Sequence, residues 1–297
     1  MKQFKKMKKQ KQSKKPAGDQ ARYKTSIIYY LAVLGAVFGA WLIFVCLENK
    51  AFAPRSDFIT SKIKQVSCSS DYKKYPIFEK CTPATLCARC VKDGLISESE
   101  LDTLTNLAKN GFSYGGSFGG ASILDLHSGA LSAGGKFINI YQALNESQLS
   151  DLFSGDAMKV YEKVKNKIKG AVTNEFGVDP VNLFLTKPTF FSKMTSKPAY
   201  TKHDEYWHSH IDKVQYGSFD YTSLLYLSDY GSDFEGGRFV FDDKNDTIEP
   251  KLGRVSFFTS GSENPHHVEK VIDGTRYAMT VSFTCDPKHS IENSLWQ

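Results

Sequence analysis

From Val181 onward the chain breaks into short runs rich in β-branched and aromatic residues: Leu183 to Phe191, Tyr206 to Asp212, Tyr221 to Leu227, Arg238 to Phe241, Arg254 to Thr259 and Arg276 to Thr284. Many short strands with loops between them predict an antiparallel sandwich or jelly roll. Side chains alternate across a strand, so the last run separates Arg276, Ala278, Thr280 and Ser282 from Tyr277, Met279, Val281 and Phe283. The first set would line a polar interior and the second would pack outward against helices. The expected fold is mainly β with flanking helices, a double-stranded β-helix or jelly roll over residues 181 to 287.

The flanking helices are signalled upstream. Ser97 and Glu100 form a capping box, Leu101, Leu104 and Leu107 give an apolar stripe, and Gly111 offers a stop, which predicts a helix over Glu98 to Asn110. A second amphipathic helix is expected from Asp156 to Phe176, with Gly177 past its end. Residues 96 to 180 thus read as a helical support region. Within it, residues 111 to 135 are rich in Gly and Ser without a strand or helix period. No Lys-Ser/Thr pair follows that stretch, so a loop is expected and not a phosphate cradle. Residues 48 to 95 read as a stalk carrying a cysteine cluster, and 288 to 297 as a tail.

Residues 1 to 25 hold ten Lys and Arg against one acid, Asp19; subtracting that +9 from the overall +6 leaves about −3 for the remainder. The folded part therefore gives no charge argument for nucleic acid. Ile27 to Leu47 is a run of 21 uncharged residues. As a helix it would be roughly 31 Å long, enough to span a bilayer. Ala51-Phe52-Ala53 resembles a cleavage site, but the run exceeds an ordinary signal-peptide core. The expectation is a signal-anchor over 26 to 47, a cytoplasmic tail over 1 to 25, and a single-pass type II protein with its catalytic domain in the lumen of the endoplasmic reticulum or Golgi. Cys68, Cys81, Cys87 and Cys90 after an export segment then favour structural disulfides over a zinc site. Asn145-Glu146-Ser147 and Asn245-Asp246-Thr247 fit the glycosylation pattern.

Chemistry concentrates in two places. On a strand running from Tyr206 to Asp212, His210 and Asp212 would present an imidazole and a carboxylate side by side. Two imidazoles and one carboxylate on one face of a metal are the ligand set of non-haem Fe(II) oxygenases. His203-Asp204-Glu205 is a second such pair, set among loop-forming residues and ranked below the first. The distal ligand is His266 or His267. A two-residue Asp273-Gly274 hairpin turn puts His267 on the face of Arg276, while a three-residue loop with a bulge puts His266 there. Both remain open on spacing alone. A buried Arg276 wants a carboxylate, which a dicarboxylic co-substrate would supply.

At these residues the chain resembles the 2-oxoglutarate and Fe(II)-dependent dioxygenases of the prolyl 4-hydroxylase-like group. Their pattern is His-x-Asp, a distal His and a basic residue ten positions later, matched by His210, Asp212, His266 and Arg276. Leu224 to Leu227 and Gly236-Gly237-Arg238-Phe239 match the intervening strand and double-glycine turn. Family members often carry Lys where Arg276 stands. The resemblance implies that His210, Asp212 and His266 hold Fe(II) and that Arg276 pairs with 2-oxoglutarate, with Tyr200 the candidate for a second co-substrate contact. It implies consumption of O2, decarboxylation of 2-oxoglutarate to succinate, hydroxylation of a protein side chain, and ascorbate as reductant. The alternative is a catalytically silent jelly-roll binding module that retains the metal pocket. Specificity is expected in the loops Lys213 to Phe219 and Asp229 to Glu235.

Overall fold

The computed structural model describes residues 29–41 and 51–291. The chain divides into two units, residues 1–50 and 51–297. In the first, the described residues 29–41 are helical (α1). Among the described residues no helix is long and apolar enough to cross a membrane. This corrects the expected localisation: the single-pass type II placement, with a lumenal catalytic domain, rested on a span that the described helix does not make. The basic tail and residues 27–28 and 42–47 of the apolar run lie outside the described residues.

The second unit comprises β1 (Lys62–Val66), β2 (Cys87–Lys92), α2 (Glu98–Ser113), β3 (Gly116–Ser117), β4 (Ala121–Asp125), β5 (Ala130–Gly134), β6 (Lys136–Asn139), α3 (Ile140–Ala143), α4 (Glu146–Leu152), α5 (Ala157–Phe176), β7 (Phe184–Thr195), α6 (Asp212–Tyr216), β8 (Tyr221–Tyr226), β9 (Phe234–Gly236), β10 (Phe239–Phe241), β11 (Asp246–Ile248), β12 (Val255–Thr259), β13 (His266–Val268) and β14 (Val271–Thr284). The major sheet has the order β1-β2-β12-β8-β14-β7-β4-β5-β3, with β6 added on β5 and β9 on β14, and a minor sheet has the order β11-β10-β13. The fold is mainly β with flanking helices, as expected.

The alternation along β14 separates two cores. Met279, Val281 and Phe283 face a helix-side core with Leu101, Leu104 and Leu107 of α2 and Val164, Ile168 and Val172 of α5. Ala278 faces the other way, into a smaller cluster with Leu224, Tyr226, Phe239, Phe241, Phe258 and Val268. Each fully buried large apolar side chain contributes about 1.5–3 kcal/mol. The helix-side core therefore carries most of the burial energy, and the smaller cluster leaves room for polar groups.

Several boundaries differ from expectation for identifiable reasons. Helix α2 begins at its predicted capping box but continues past Gly111, which is buried where a Cβ would strike Leu124. That glycine permits close packing rather than ending the helix. Residues 51–95 are not a stalk: Ala53 is fully buried and bridges to Ile248, and β1 and β2 extend the major sheet beside β12. The Gly-Ser stretch 111 to 135 contains β3, β4 and β5: β5 pairs with both β3 and β4, and β4 also pairs with the remote β7. At the other end, Ile291 N donates to Leu185 O, which ties the start of the expected tail to β7.

Cys68 is bonded to Cys87, and Cys81 to Cys285 across a sequence separation of 204. The preference for disulfides over zinc therefore holds, with Cys90 buried and free. Cys46 lies outside the described residues.

Candidate active site

The expected strand through His210 and Asp212 is not formed. His210 makes a single antiparallel bridge with His266: its N–H donates to the His266 carbonyl at 2.9 Å, and its carbonyl accepts from the His266 N–H at 3.0 Å. Ile211 is extended, and Asp212 opens the short helix α6. One extended residue followed by a helical start is what turns the Asp212 carboxylate toward the two imidazoles. The helix is pinned by the buried ion pair of Lys213 Nζ with Asp220 Oδ1 at 2.9 Å, and Asp220 Oδ2 also accepts from Cys285 N at 2.7 Å. Removing one partner of such a buried pair costs about 3–5 kcal/mol, so the placement of Asp212 is firmly tied to the core.

His210 Nε2 lies 3.6 Å from Asp212 Oδ1, and His266 Nε2 lies 3.8 Å from Asp212 Oδ2. Ligand atoms of the three residues all fall within 4.8 Å of one another, and this is the one such group of metal-binding type among the described residues. His266 Nδ1 faces the Asn264 carbonyl at 2.9 Å and His210 Nδ1 faces the His208 carbonyl at 3.2 Å. A carbonyl only accepts, so both Nδ1 atoms carry the proton and both Nε2 lone pairs point to the shared centre. Burial pushes the His266 imidazole down to about 4, outweighing the nearby Asp212 carboxylate, so it is neutral and able to ligate at pH 7. Its ring lies against Phe239, Phe241 and Phe258. Thr222 Oγ1 donates to Asp212 Oδ2 at 2.6 Å and is itself 2.9 Å from Ser260 Oγ. This hydroxyl pair holds one carboxylate oxygen and leaves Oδ1 for the centre. Bonds from imidazole or carboxylate to a first-row metal are about 2.0–2.2 Å, so the donor set and its spacing fit one ion.

The hairpin invoked to choose between His266 and His267 does not exist. β13 pairs with β10, whereas β14 starts at Val271 and runs without a turn through Gly274 and Arg276. The choice is made by faces of β13 instead: His266 points inward, and His267 lies on the opposite face, its Nδ1 2.5 Å from Asp242 Oδ1. His203 is exposed, and Asp204 is buried in loop contacts of its own.

Arg276 is fully buried. Its Nε donates to the Gly237 carbonyl at 2.9 Å, its Nη1 meets the sulfur of Met194 at 3.7 Å, and its Nη2 has no partner. Burial lowers its pKa from the ordinary value, with Tyr226 and Tyr206 acting in the other direction. An arginine stays charged even so, and a buried charge with one donor unmet is costly unless a ligand completes it. A carboxylate would take the free donor. The guanidinium and the histidines flank one segment: Gly237 accepts from Arg276, and Phe241 pairs with His266. The double glycine is needed here, since Gly236 and Gly237 have φ of 70° and 62°, and a Cβ on Gly237 would press on the Arg276 side chain at 3.2 Å.

Tyr200 is not brought to this pocket. It is 64% exposed and stands edge-on to Phe118. The tyrosines that face Arg276 are Tyr226, whose ring lies 5.5 Å from the guanidinium, and Tyr206, which accepts from Val271 N at 3.0 Å. The signal for Tyr226 was present in the sequence, since it shares a strand face with Leu224 and Thr222; Tyr206 sits in a turn that periodicity does not reveal. Asn145 and Asn245 are both exposed, and Asn145 caps α4 by accepting from Gln148 N at 2.9 Å.

A profile of the 2OG-Fe(II) oxygenase superfamily matches residues 191–284, which span β7 to β14 and all four residues above. The chain belongs to that superfamily: it is a 2-oxoglutarate-dependent dioxygenase, of a class that uses Fe(II), 2-oxoglutarate and O2. In particular it is similar to the 2-oxoglutarate and iron-dependent oxygenase domain-containing protein 3 of Xenopus tropicalis, at 54% identity over 84% of this chain and 78% of the relative. It is also similar to prolyl 3-hydroxylase 1 of Mus musculus, at 28% identity over 68% of this chain and 29% of that protein. Among solved structures, a prolyl hydroxylase from Trichoplax adhaerens in complex with a peptide fragment of hypoxia inducible factor is similar, at 16% identity and a TM-score of 0.45, over 66% of this chain and 83% of that one.

Proposed function

We propose that His210, Asp212 and His266 hold Fe(II), that Arg276 binds the far carboxylate of 2-oxoglutarate, and that the chain hydroxylates a side chain of a protein substrate. The observation that carries this reading is the pairing of two unmet needs on one segment: the free Nη2 of a fully buried Arg276 and three converging ligand atoms. When bound, the metal supplies O2 activation coupled to decarboxylation of 2-oxoglutarate to succinate. The chain's own groups do the rest. The carbonyls of Asn264 and His208 fix the imidazole tautomers, and Thr222 orients Asp212. Arg276 sets the direction of the co-substrate by a charge-assisted pair in a dry pocket, where it is strongest. Phe239, Phe241 and Phe258 around His266 exclude water from that side. His210, 35% exposed at its side chain, marks the open side from which a substrate reaches the centre. A protein substrate is supported by the similarity to prolyl 3-hydroxylases, whose name states action on prolyl residues.

The test is succinate release from 2-oxoglutarate in air by the Fe(II)-loaded protein beside His210→Ala. Release by the wild type that falls to background in the variant is expected. Equal release by both would sink the ligand assignment.

A further inference from the structure

The residue that the family resemblance offered as a second co-substrate contact, Tyr200, belongs to a different feature. Tyr200, Phe118 and Phe137 are 64%, 66% and 47% exposed. They form one surface and not three isolated rings. Phe118 and Tyr200 meet edge-to-face at 5.3 Å, and Phe137 meets the exposed His203 at 6.0 Å. The rings are joined through the glycine pair between β5 and β6: a Cβ on Gly134 would lie 2.9 Å from Phe118, and one on Gly135 would lie 3.0 Å from Tyr200.

The platform is held rigidly. Asp204, 1% exposed, accepts from Ser117 Oγ at 2.8 Å, Ala121 N at 3.2 Å, Thr201 N at 2.7 Å and Tyr200 N at 3.2 Å. These bonds staple the segment carrying Tyr200 to the loop carrying Phe118. An exposed aromatic cluster fixed by a buried carboxylate is built for contact, since large rings left in water are otherwise a liability.

Its charge is mainly positive. Lys136, Lys197 and Lys202 are exposed on its segments; of the two acids that follow Lys202, Asp204 is buried and Glu205 has its carboxylate 3.2 Å from His208 Nε2. Residues beyond the first 25 sum to about −3, so the cationic surface runs against the balance of the folded part. The platform also adjoins the co-substrate pocket: a Cβ on Gly120, two residues after Phe118, would lie 3.6 Å from Tyr206, which faces Arg276. Finally, Lys136 and Phe137 lie on β6, which among the described strands pairs with β5 alone. The free edge offers main-chain hydrogen bonds to an extended chain, which a nucleic acid would not use.

We propose that this surface docks an extended, acidic segment of the protein substrate, with the rings taking apolar or prolyl side chains and the lysines taking carboxylates. The proposal rests on the reading that the substrate is a protein.

The test uses the full chain loaded with Fe(II) and 2-oxoglutarate without O2, and three fluorescent probes of equal length: a Glu-Pro repeat peptide, a Lys-Pro repeat peptide and oligo-dT. The Glu-Pro probe is expected to bind, to weaken as salt rises, and to lose about tenfold in affinity in Phe118→Ser/Phe137→Ser and in Lys136→Glu/Lys202→Glu. Probe-independent succinate release in air should be unchanged in both variants, which shows that they fold. Equal binding of the Lys-Pro probe, tighter binding of oligo-dT, no binding of any probe, or unchanged affinity in both variants would each overturn the docking surface. Failure of the underlying function is distinguishable, because it shows as no succinate release by the wild type whatever the probes do.

Discussion

Three arginines, Arg89, Arg254 and Arg276, are fully buried among the described residues, on strands of the same sheet or beside them, and the surroundings of the last two differ in kind. Arg254, just before β12, gives Nε and Nη2 to the Asp93 carboxylate at 2.9 Å each, and its remaining donors go to the carbonyls of Ala53, Pro54, Glu249 and Asp57. Arg276, on β14, has one carbonyl, one sulfur and a free Nη2. A guanidinium with every donor met holds chain segments together. One with a donor unmet lowers the stability of the protein alone, and its position makes sense only with a ligand present. The contrast separates structural from functional burial of charge without reference to any motif.

The largest expected effect tests the structural member. Arg254→Met leaves Asp93 buried without its partner and should cost about 3–5 kcal/mol in urea unfolding. The contrast breaks if Arg276→Met costs as much. Next, Arg276→Met should raise the KM for 2-oxoglutarate roughly 100-fold, within the range for truncating a buried charge pair, while the urea midpoint of the protein without co-substrate is unchanged or higher. A smaller effect sharpens the account of the metal donors. Thr222→Val removes the hydroxyl on Asp212 and should weaken Fe(II) affinity about tenfold, read by competition with a chelator, with little change in the affinity for 2-oxoglutarate once metal is saturating. The smallest lies far from the site, in a carboxylate ion-paired with Lys163 and Lys167. Burial pushes the Glu100 carboxyl up, but hydrogen bonds from Lys167, Ser97 and Lys163 outweigh it and hold the group at about 2. A carboxylate with a depressed pKa stabilises the fold above its ordinary value near 4.5 and loses that contribution as pH falls toward 2. Glu100→Gln should therefore lower the thermal midpoint at pH 7, and the gap from wild type should close between about pH 4.5 and 2.

How far the sequence alone reached depends on which residues act locally. Strands β7, β8, β12 and β14 were legible because each is long enough for alternation to register, and α2 and α5 because capping and periodicity agree. β1, β3 and β4 were missed because their own residues carry weak strand signals and their stability comes from pairing with β2, β5 and β7 in turn. His210 and Asp212 were found for a partly wrong reason: two-residue spacing suggested a strand, and the carboxylate instead projects from a helix start. Neither proposed hairpin register could have decided between His266 and His267, since β13 and β14 do not form a hairpin. Tyr200 was misplaced because proximity in sequence to His210 says little when the intervening residues turn twice; its backbone is held by Asp204 on the outer surface.

The most direct test of the central claim is thermal unfolding of wild type and Arg276→Met, each without ligand, with Fe(II), and with Fe(II) plus 2-oxoglutarate in the absence of O2. The account predicts that adding 2-oxoglutarate to the metal-loaded wild type raises Tm by the amount its affinity dictates, and that this rise is absent in Arg276→Met at the same concentration. An equal rise in both proteins, or none in the metal-loaded wild type, would contradict the assignment of the buried guanidinium to the co-substrate.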